Sequence, residues 1–589
     1  MNRKKIIVLF LGLSLTFLLV HHVFSQESTV KKPIRLSPKM RVMETALTKP
    51  KIVMERAKLE SPEGMKIYRF QVQPINQELL RRFTADKTLK VSPMTIQKKN
   101  PGTENLYLEK QTNATRLITN ETRGHMFLLP NVERLSKAKV TLMSHEAAFN
   151  KALTDITELK LIPEDVSRAT PKKIVTLSAL ELPAGQQQGT TKDILQAVQF
   201  DRTLDAKPVV GRGSQLNIDL GSEGALEGFE KKWNKVVESG IKPVFRTEAA
   251  VYDDVERQLN ENIKGGVTIT VQTPRLIYFG DDREFVQPAY FYTAVIEDPQ
   301  AVGKAYYAGL VPALQNPPEP LLKARDAKTR ELPGAGAAAP VERIAPMEKM
   351  RPTQQKIRPI QKDDPGVGRY VVRNDSWDWV DDANDFKRGL NSGHYSGLPA
   401  ISFGDYYWDE PRFWTNQEDS FVDRWHVTLV EGHGAHWLFT TTRNCCDVVN
   451  LNASTQPGYG DRAGDSMRFL VLKGCSILPA PPDEANWAAP WWRIFKGLRQ
   501  AVGFRTTMYI NDDISDDFGY WIGRNCRVLD SWFYATNTSW SYRWNRFWGA
   551  EVTGYGAVVM IPGHEGDGIY HTAAAPPATS TGLTIYWQH

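Results

Sequence analysis

The chain has 589 residues, and at roughly 150 residues per domain that length points to two to four domains. Hydrophobic residues at 41% and charged residues at 24% exclude a disordered chain and a polytopic membrane protein. Lys plus Arg minus Asp plus Glu is 73 − 67 = +6, too small a surplus at this length to mark nucleic acid as the partner.

Residues 1–25 open with Arg3-Lys4-Lys5, continue as an apolar run from Ile6 to Val20, and close on His21-His22-Val23-Phe24-Ser25. A basic start, a short apolar stretch and small or apolar residues at Val23 and Ser25 predict a secretory signal peptide cut after Ser25. An uncleaved anchor would need a longer run. The expected mature protein is secreted or periplasmic, with no membrane attachment after cleavage. Cysteine is scarce for such a chain, so disulfides are not its main scaffold.

Residues 26–310 read as a basic α+β part without a chemical motif. Gly266–Val271 and Phe291–Ile296 have strand character, and the polar stretch Glu223–Glu238 reads as helix. Pro208 to Gly221, followed by that polar stretch around Trp233, resembles the strand-pair-plus-helix modules in the pro-regions of secreted peptidases. Gly211 and Gly213 also suit a plain hairpin turn. Residues 311–366 hold 10 of the 36 prolines and read as an extended linker.

Past the linker the composition changes: 15 of the 16 Trp and all four Cys lie within 367–589, marking a second domain. It carries 18 Lys and Arg against 25 Asp and Glu, a balance of −7. The remainder is then +13, or +10 without the three charges of the signal peptide. Tethered parts of opposite sign are expected to dock, the first restraining the second, unless the asymmetry is incidental.

Two segments of this region share a grammar. Trp425-His426-Val427-Thr428-Leu429-Val430-Glu431-Gly432-His433-Gly434 and Met467-Arg468-Phe469-Leu470-Val471-Leu472-Lys473-Gly474-Cys475-Ser476 are each an apolar run ending in glycine and a reactive side chain. Such runs predict buried parallel strands, whose carboxyl ends collect the chemistry in α/β sheets. An imidazole within reach of a thiol can take its proton, and glycines leave backbone amides, here those of Gly434 and Cys475, to hold an oxyanion.

Strand-His-Gly followed by strand-Gly-Cys resembles the caspase and legumain type of cysteine peptidase, and the interval 475 − 433 = 42 is near the roughly 50 residues of caspases. The layout over about 370–565, with Phe495-Lys496-Gly497-Leu498-Arg499 and Gly503-Phe504 downstream, is similar to an uncharacterised family of secreted bacterial domains. The resemblance implies an α/β fold, a caspase-like three-layer sandwich with a mainly parallel sheet. It also implies a polypeptide substrate, no cofactor and no metal, with His433 as base and Cys475 as nucleophile. The sequence departs from the caspase pattern at Lys473-Gly474, and His436 offers a second imidazole. Asp405, Asp409 and Asp447 are the acids available to a substrate pocket. Trp491–Val502 reads as a helix packing on the sheet, with further helices at Phe518–Ile522 and Arg527–Tyr534 and a late strand at Tyr555–Ile561.

Other readings use the same residues. His433 and His436 with Cys445 and Cys446 are zinc-ligand types, at a spacing that fits no familiar site. Gly464-Asp465-Ser466 is esterase-like but precedes its strand instead of following it. The aromatic and acidic stretch Phe403–Glu410 suits a glycan-binding surface or a glycosidase. An inactive peptidase fold serving as a binding module is a further alternative.

Overall fold

The computed structural model describes residues 49–589 apart from 86–90, 98–102, 110–113, 163–168, 187, 264–265, 282, 300–303, 322–363, 374–375, 377, 408–410, 442–447, 463–465, 549–550 and 574–580. The expected signal peptide and most of the expected linker therefore lie outside the described residues.

The protein is α/β, built on a large mixed sheet. At one end five strands run parallel, in the order Ser402–Tyr407, Gly366–Val371, Val427–Glu431, Phe469–Lys473 and Gln500–Phe504. The inner four are buried along their whole length, which is why their sequences are continuous apolar runs and not alternating ones. Gly556–Met560 and Gly582–Gln588 follow antiparallel. The sheet does not stop there: Gly582–Gln588 pairs along its length with Ala169–Pro183, from the first half of the chain. From there the order continues antiparallel through Thr190–Leu204, Ser214–Leu220, Leu226–Trp233, His125–Leu128 and Thr115–Asn120. The two parts expected from composition thus share one sheet and one compact unit.

Both faces of the antiparallel half are covered, by different parts of the chain. Leu117, Val198, Phe200, Ile218 and Phe229 face a core completed by Ala148, Ala152 and Ile156 of the helix His145–Glu158. Ile118 and Phe127, on the other face, pack on Trp521, Cys526 and Tyr534, which belong to the second part. Strand periodicity makes this division: successive side chains point to opposite faces, so Thr115–Asn120 and His125–Leu128 serve both cores.

A further group of strands, Thr268–Val271, Phe285–Glu297 and Ala305–Pro312, is paired antiparallel, with the helix Glu248–Asn262 against the last strand. The first residues of the expected linker belong here: Ala305–Pro312 reaches into it, and Ala313, Leu314 and Leu321 are buried. At the other end of that linker, Gly366 already begins a buried parallel strand.

Three sequence expectations are corrected. Glu223–Glu238 is not helical but forms the strands Leu226–Trp233 and Lys235–Glu238. Its polar residues are buried with partners from neighbouring strands, Asn217 donating to Glu230 at 2.7 Å and Lys232 lying over the Phe127 ring, while Lys232 also pairs with Glu230 on its own strand. Gly211 and Gly213 close neither a hairpin nor a strand-pair module, because the strands they join, Lys207–Val210 and Ser214–Leu220, do not pair with each other: both pair with Thr190–Leu204, and their other partners are Arg275–Phe279 and Leu226–Trp233. Trp491–Val502 is helical only over Trp491–Ile494, and Gln500–Phe504 is a strand. The helix ends at Phe495, and Gly497, at φ 145°, lies between it and the strand where the Gly460 carbonyl approaches too closely for any side chain. The strands around His433 and Cys475, the two later helices and the strand at Gly556–Met560 lie where the sequence predicts them.

Candidate functional site

Val427–Glu431 and Phe469–Lys473 are neighbours in the sheet, in register from Val427 opposite Phe469 to Glu431 opposite Lys473. His433 and Cys475 each come two residues after the same row, so they leave the sheet at one edge. The glycines between allow the two turns to touch. A Cβ on Gly474 would come within 3.1 Å of the Gly432 carbonyl and 3.2 Å of the Gly434 Cα, and one on Gly434 within 3.1 Å of the Cys475 carbonyl. Ser476, at φ 50°, holds the turn in a left-handed conformation that costs a non-glycine residue on the order of 1 kcal/mol.

His433 is buried, its ring edge-on to Trp379 with centroids 5.4 Å apart. His436 lies in the following hairpin turn, its ring 6.1 Å from that of Trp437. Cys475 is 8% exposed. Its thiol exchanges hydrogen bonds with the backbone of Met508, donating to the carbonyl at 3.6 Å and accepting from the amide at 3.5 Å. Burial pushes the thiol up to about 11; the Met508 bonds offset part of this, and the carboxylate of Asp512 adds to it. Cys526 is fully buried and raised for the same reason. The free thiols among the described residues are these two.

The row beneath His433 and Cys475 carries a feature that sequence reasoning passed over. The Lys473 ammonium is buried and lies 2.9 Å from Asp382, 3.2 Å from Asp512, 3.7 Å from Glu431 and 2.6 Å from the Ser515 hydroxyl. It ties both reactive strands to the helix Asp378–Gly393 and to the segment before the helix Ile514–Gly523. One cation among three buried carboxylates cannot balance them all. Burial, countered by Lys473, keeps the Asp382 and Glu431 carboxyls well above the ordinary range, Glu431 at about 8. The signal was in the sequence as a charged residue two places before each reactive one, Glu431 before His433 and Lys473 before Cys475.

Asp405 does not reach this edge. Its strand places it beside Arg369, which donates to it from Nε at 2.7 Å, with Lys387 at 3.3 Å. Burial alone would raise its carboxyl, but the two cations hold it below the usual range, so it is an ion-pair partner inside the sheet. Asp409 and Asp447 lie outside the described residues, as do Cys445, Cys446 and Gly464-Asp465. Among the described residues, the group of three ligand-type side chains with atoms within 4.8 Å of one another is Asp419, Asp423 and Asp461, which contains neither histidine. Asp423 is already used there as an acceptor for the backbone amides of Gly460, Arg462 and Met467.

A family model described as a domain of unknown function, DUF6345, matches residues 380–550, a span that includes both His433 and Cys475. No curated protein matches the chain. Among solved structures, an uncharacterized protein from Eubacterium rectale ATCC 33656 is similar at 11% identity, covering 43% of this chain and 84% of that one with a TM-score of 0.26.

Proposed function

We propose that the protein is a cysteine-peptidase-like hydrolase of caspase-type architecture, acting on polypeptide through His433 and Cys475. The observation that carries this reading is the shared row of Glu431 and Lys473, which delivers the imidazole and the thiol to one sheet edge with their turns in contact. In the reaction, His433 accepts the thiol proton and the sulfur attacks the scissile carbonyl carbon. The amides of Gly434 and Cys475 receive the oxyanion. His433 returns the proton to the leaving amine, then takes one from the water that hydrolyses the thioester. The fold component of the proposal rests on five parallel strands packed by helices. Export, to periplasm or medium, rests on the basic and apolar pattern of residues 1–25; among the described residues no helix is long and apolar enough to cross a membrane.

A second reading has a specific observation in its favour. The Cys475 thiol is buried, bonded to backbone and raised, as befits a binding module that has kept the fold without the chemistry. The glycan reading rests on Phe403–Glu410, of which 408–410 lie outside the described residues; Trp379, Trp414, Trp425, Trp491, Trp532 and Trp544, elsewhere in this region, are buried in the core.

An acyloxymethyl-ketone probe with varied side chains at its first position, applied to the protein and to Cys475→Ala, His433→Ala and His436→Ala, tests the proposal. Labelling lost in the first two and largely kept in the third is the expected result. Absence of labelling under every condition, including after limited proteolysis, leaves the binding module.

A further inference from the structure

The segment that follows Met508, next to the edge at which His433 and Cys475 emerge, is paired with a strand from the first part of the chain. Met508, whose backbone holds the Cys475 thiol, is followed by a segment that pairs with the strand Ala305–Pro312. Tyr306 bridges Tyr509 in parallel fashion, and the Ile510 amide donates to the Tyr306 carbonyl at 2.8 Å. Asn511 extends the pairing with its side chain, accepting from the Ala308 amide at 3.1 Å and donating to the Ala308 carbonyl at 2.6 Å. The Tyr306 hydroxyl donates to Glu551 at 2.6 Å, and the Cys475 thiol is close enough to bear on its ionisation. Around the same edge, Arg373 donates to Asp298 at 2.7 Å and Ser376 to the Asn262 carbonyl at 3.3 Å. Tyr306, Tyr307 and Ala308 are all buried.

An extended chain lying beside the residues that flank a nucleophile occupies main-chain donors and acceptors that an incoming peptide would otherwise use. We infer that Tyr306–Ala308 is a built-in occupant of the groove along Met508–Asn511 and keeps Cys475 latent, with Asn511 as the latch. This rests on the functional reading above for what the groove receives, but the occlusion itself is a statement about access to one sulfur. Opening must break the Ile510 bond to Tyr306 and the two Asn511 bonds to Ala308, so the rate at which a small electrophile reaches Cys475 reports the population of the open form.

The test is iodoacetamide labelling of the full chain at fixed pH, followed by mass spectrometry of the peptides containing Cys475 and Cys526. Asn511→Ala should speed labelling of Cys475 about tenfold or more, since two hydrogen bonds are lost. Tyr306→Phe, which removes only the bond to Glu551, should speed it less. Cys526, fully buried at a different contact, should keep its rate in both. Unchanged labelling of Cys475 in both variants, or equal acceleration of the two cysteines, would overturn the latch. The ketone probe separates the two ideas. Faster alkylation without probe capture retains the latch and removes the peptidase; probe capture that ignores both variants does the reverse.

Discussion

Lys473 shows how much a single buried charge organises. Replacing it with methionine keeps the volume but leaves Glu431, Asp382 and Asp512 without a counter-charge, and breaking a buried pair in this way typically costs about 3–5 kcal/mol. Lys473→Met should therefore lower stability by about that amount in denaturant titrations at pH 8. The deficit should shrink toward pH 5, because the raised Glu431 and Asp382 carboxyls are protonated there and no longer need the cation. Asp219 is the opposite case, a buried carboxyl pushed up to about 7 by burial, with Glu230 and Glu227 adding to it. A folded-state value above the unfolded one means that the native state binds the proton more tightly, so stability falls as pH rises from about 4 to 7. Asp219→Asn should raise stability by roughly 1–3 kcal/mol at pH 8 and change little at pH 4. For Cys475 the raised thiol predicts an alkylation rate that still climbs above pH 9. A profile that levels off near pH 8 would mean that burial does not govern this sulfur.

Between elements, the contact that frames the site from below is the pair of helices Asp378–Gly393 and Ile514–Gly523. Gly389 and Gly393 on one meet Gly519 and Gly523 on the other. A Cβ on Gly389 would lie 2.1 Å from the Asp516 carbonyl oxygen, and one on Gly519 would lie 2.4 Å from that of Phe386. Helix propensity alone favours alanine at such positions by about 1 kcal/mol. Here the clash is with backbone, which cannot swing aside as a side chain can, so the steric effect wins. Gly519→Ala should destabilise the protein by about 2 kcal/mol or more, measured as the denaturant midpoint at unchanged slope. Because this packing also positions Asp382, Asp512 and Ser515 around Lys473, the same variant should loosen the Cys475 turn.

The whole molecule is held together by apolar contact and a shared sheet, not by opposed net charges. The ion pairs between the two parts mostly run against those charges, with arginines of the acidic part meeting acids of the basic one: Arg524 with Glu104, Arg527 with Glu109, Arg543 with Asp201 and Arg373 with Asp298. Arg212, facing Asp513, Asp516 and Asp517, is the pair type that the charge balance predicts. Phe127 stacks edge-on against Trp521 and Tyr534 across the same junction, and the strand Gly582–Gln588 is bonded on both sides. Screening acts on exposed charges and hardly on such contacts. Thermal unfolding should accordingly show one transition, displaced little between low and 0.5 M salt (a level set by the roughly 3 to 10 Å span of screening lengths). Two separable transitions, or a strong loss in salt, would restore the picture of a tethered electrostatic clamp.

What the sequence determined by itself was local. Continuous apolar runs bounded by glycine marked Val427–Glu431 and Phe469–Lys473 as buried strands, and the equal spacing from strand end to His433 and Cys475 placed both at one edge, since strand geometry is periodic and short-ranged. The tertiary structure decided everything that depends on partners. Leu226–Trp233 reads as polar helix until Asn217 and Phe127 satisfy its Glu230 and Lys232. Asp405 reads as a free acid until Arg369 and Lys387 claim it. The first part of the chain reads as a detachable domain until Ala169–Pro183 pairs with Gly582–Gln588, some four hundred residues away. Hydrogen bonds and burial across such separations leave no local pattern in the chain, because either side of each contact is compatible by itself with several structures, and only the fold brings the two sides together.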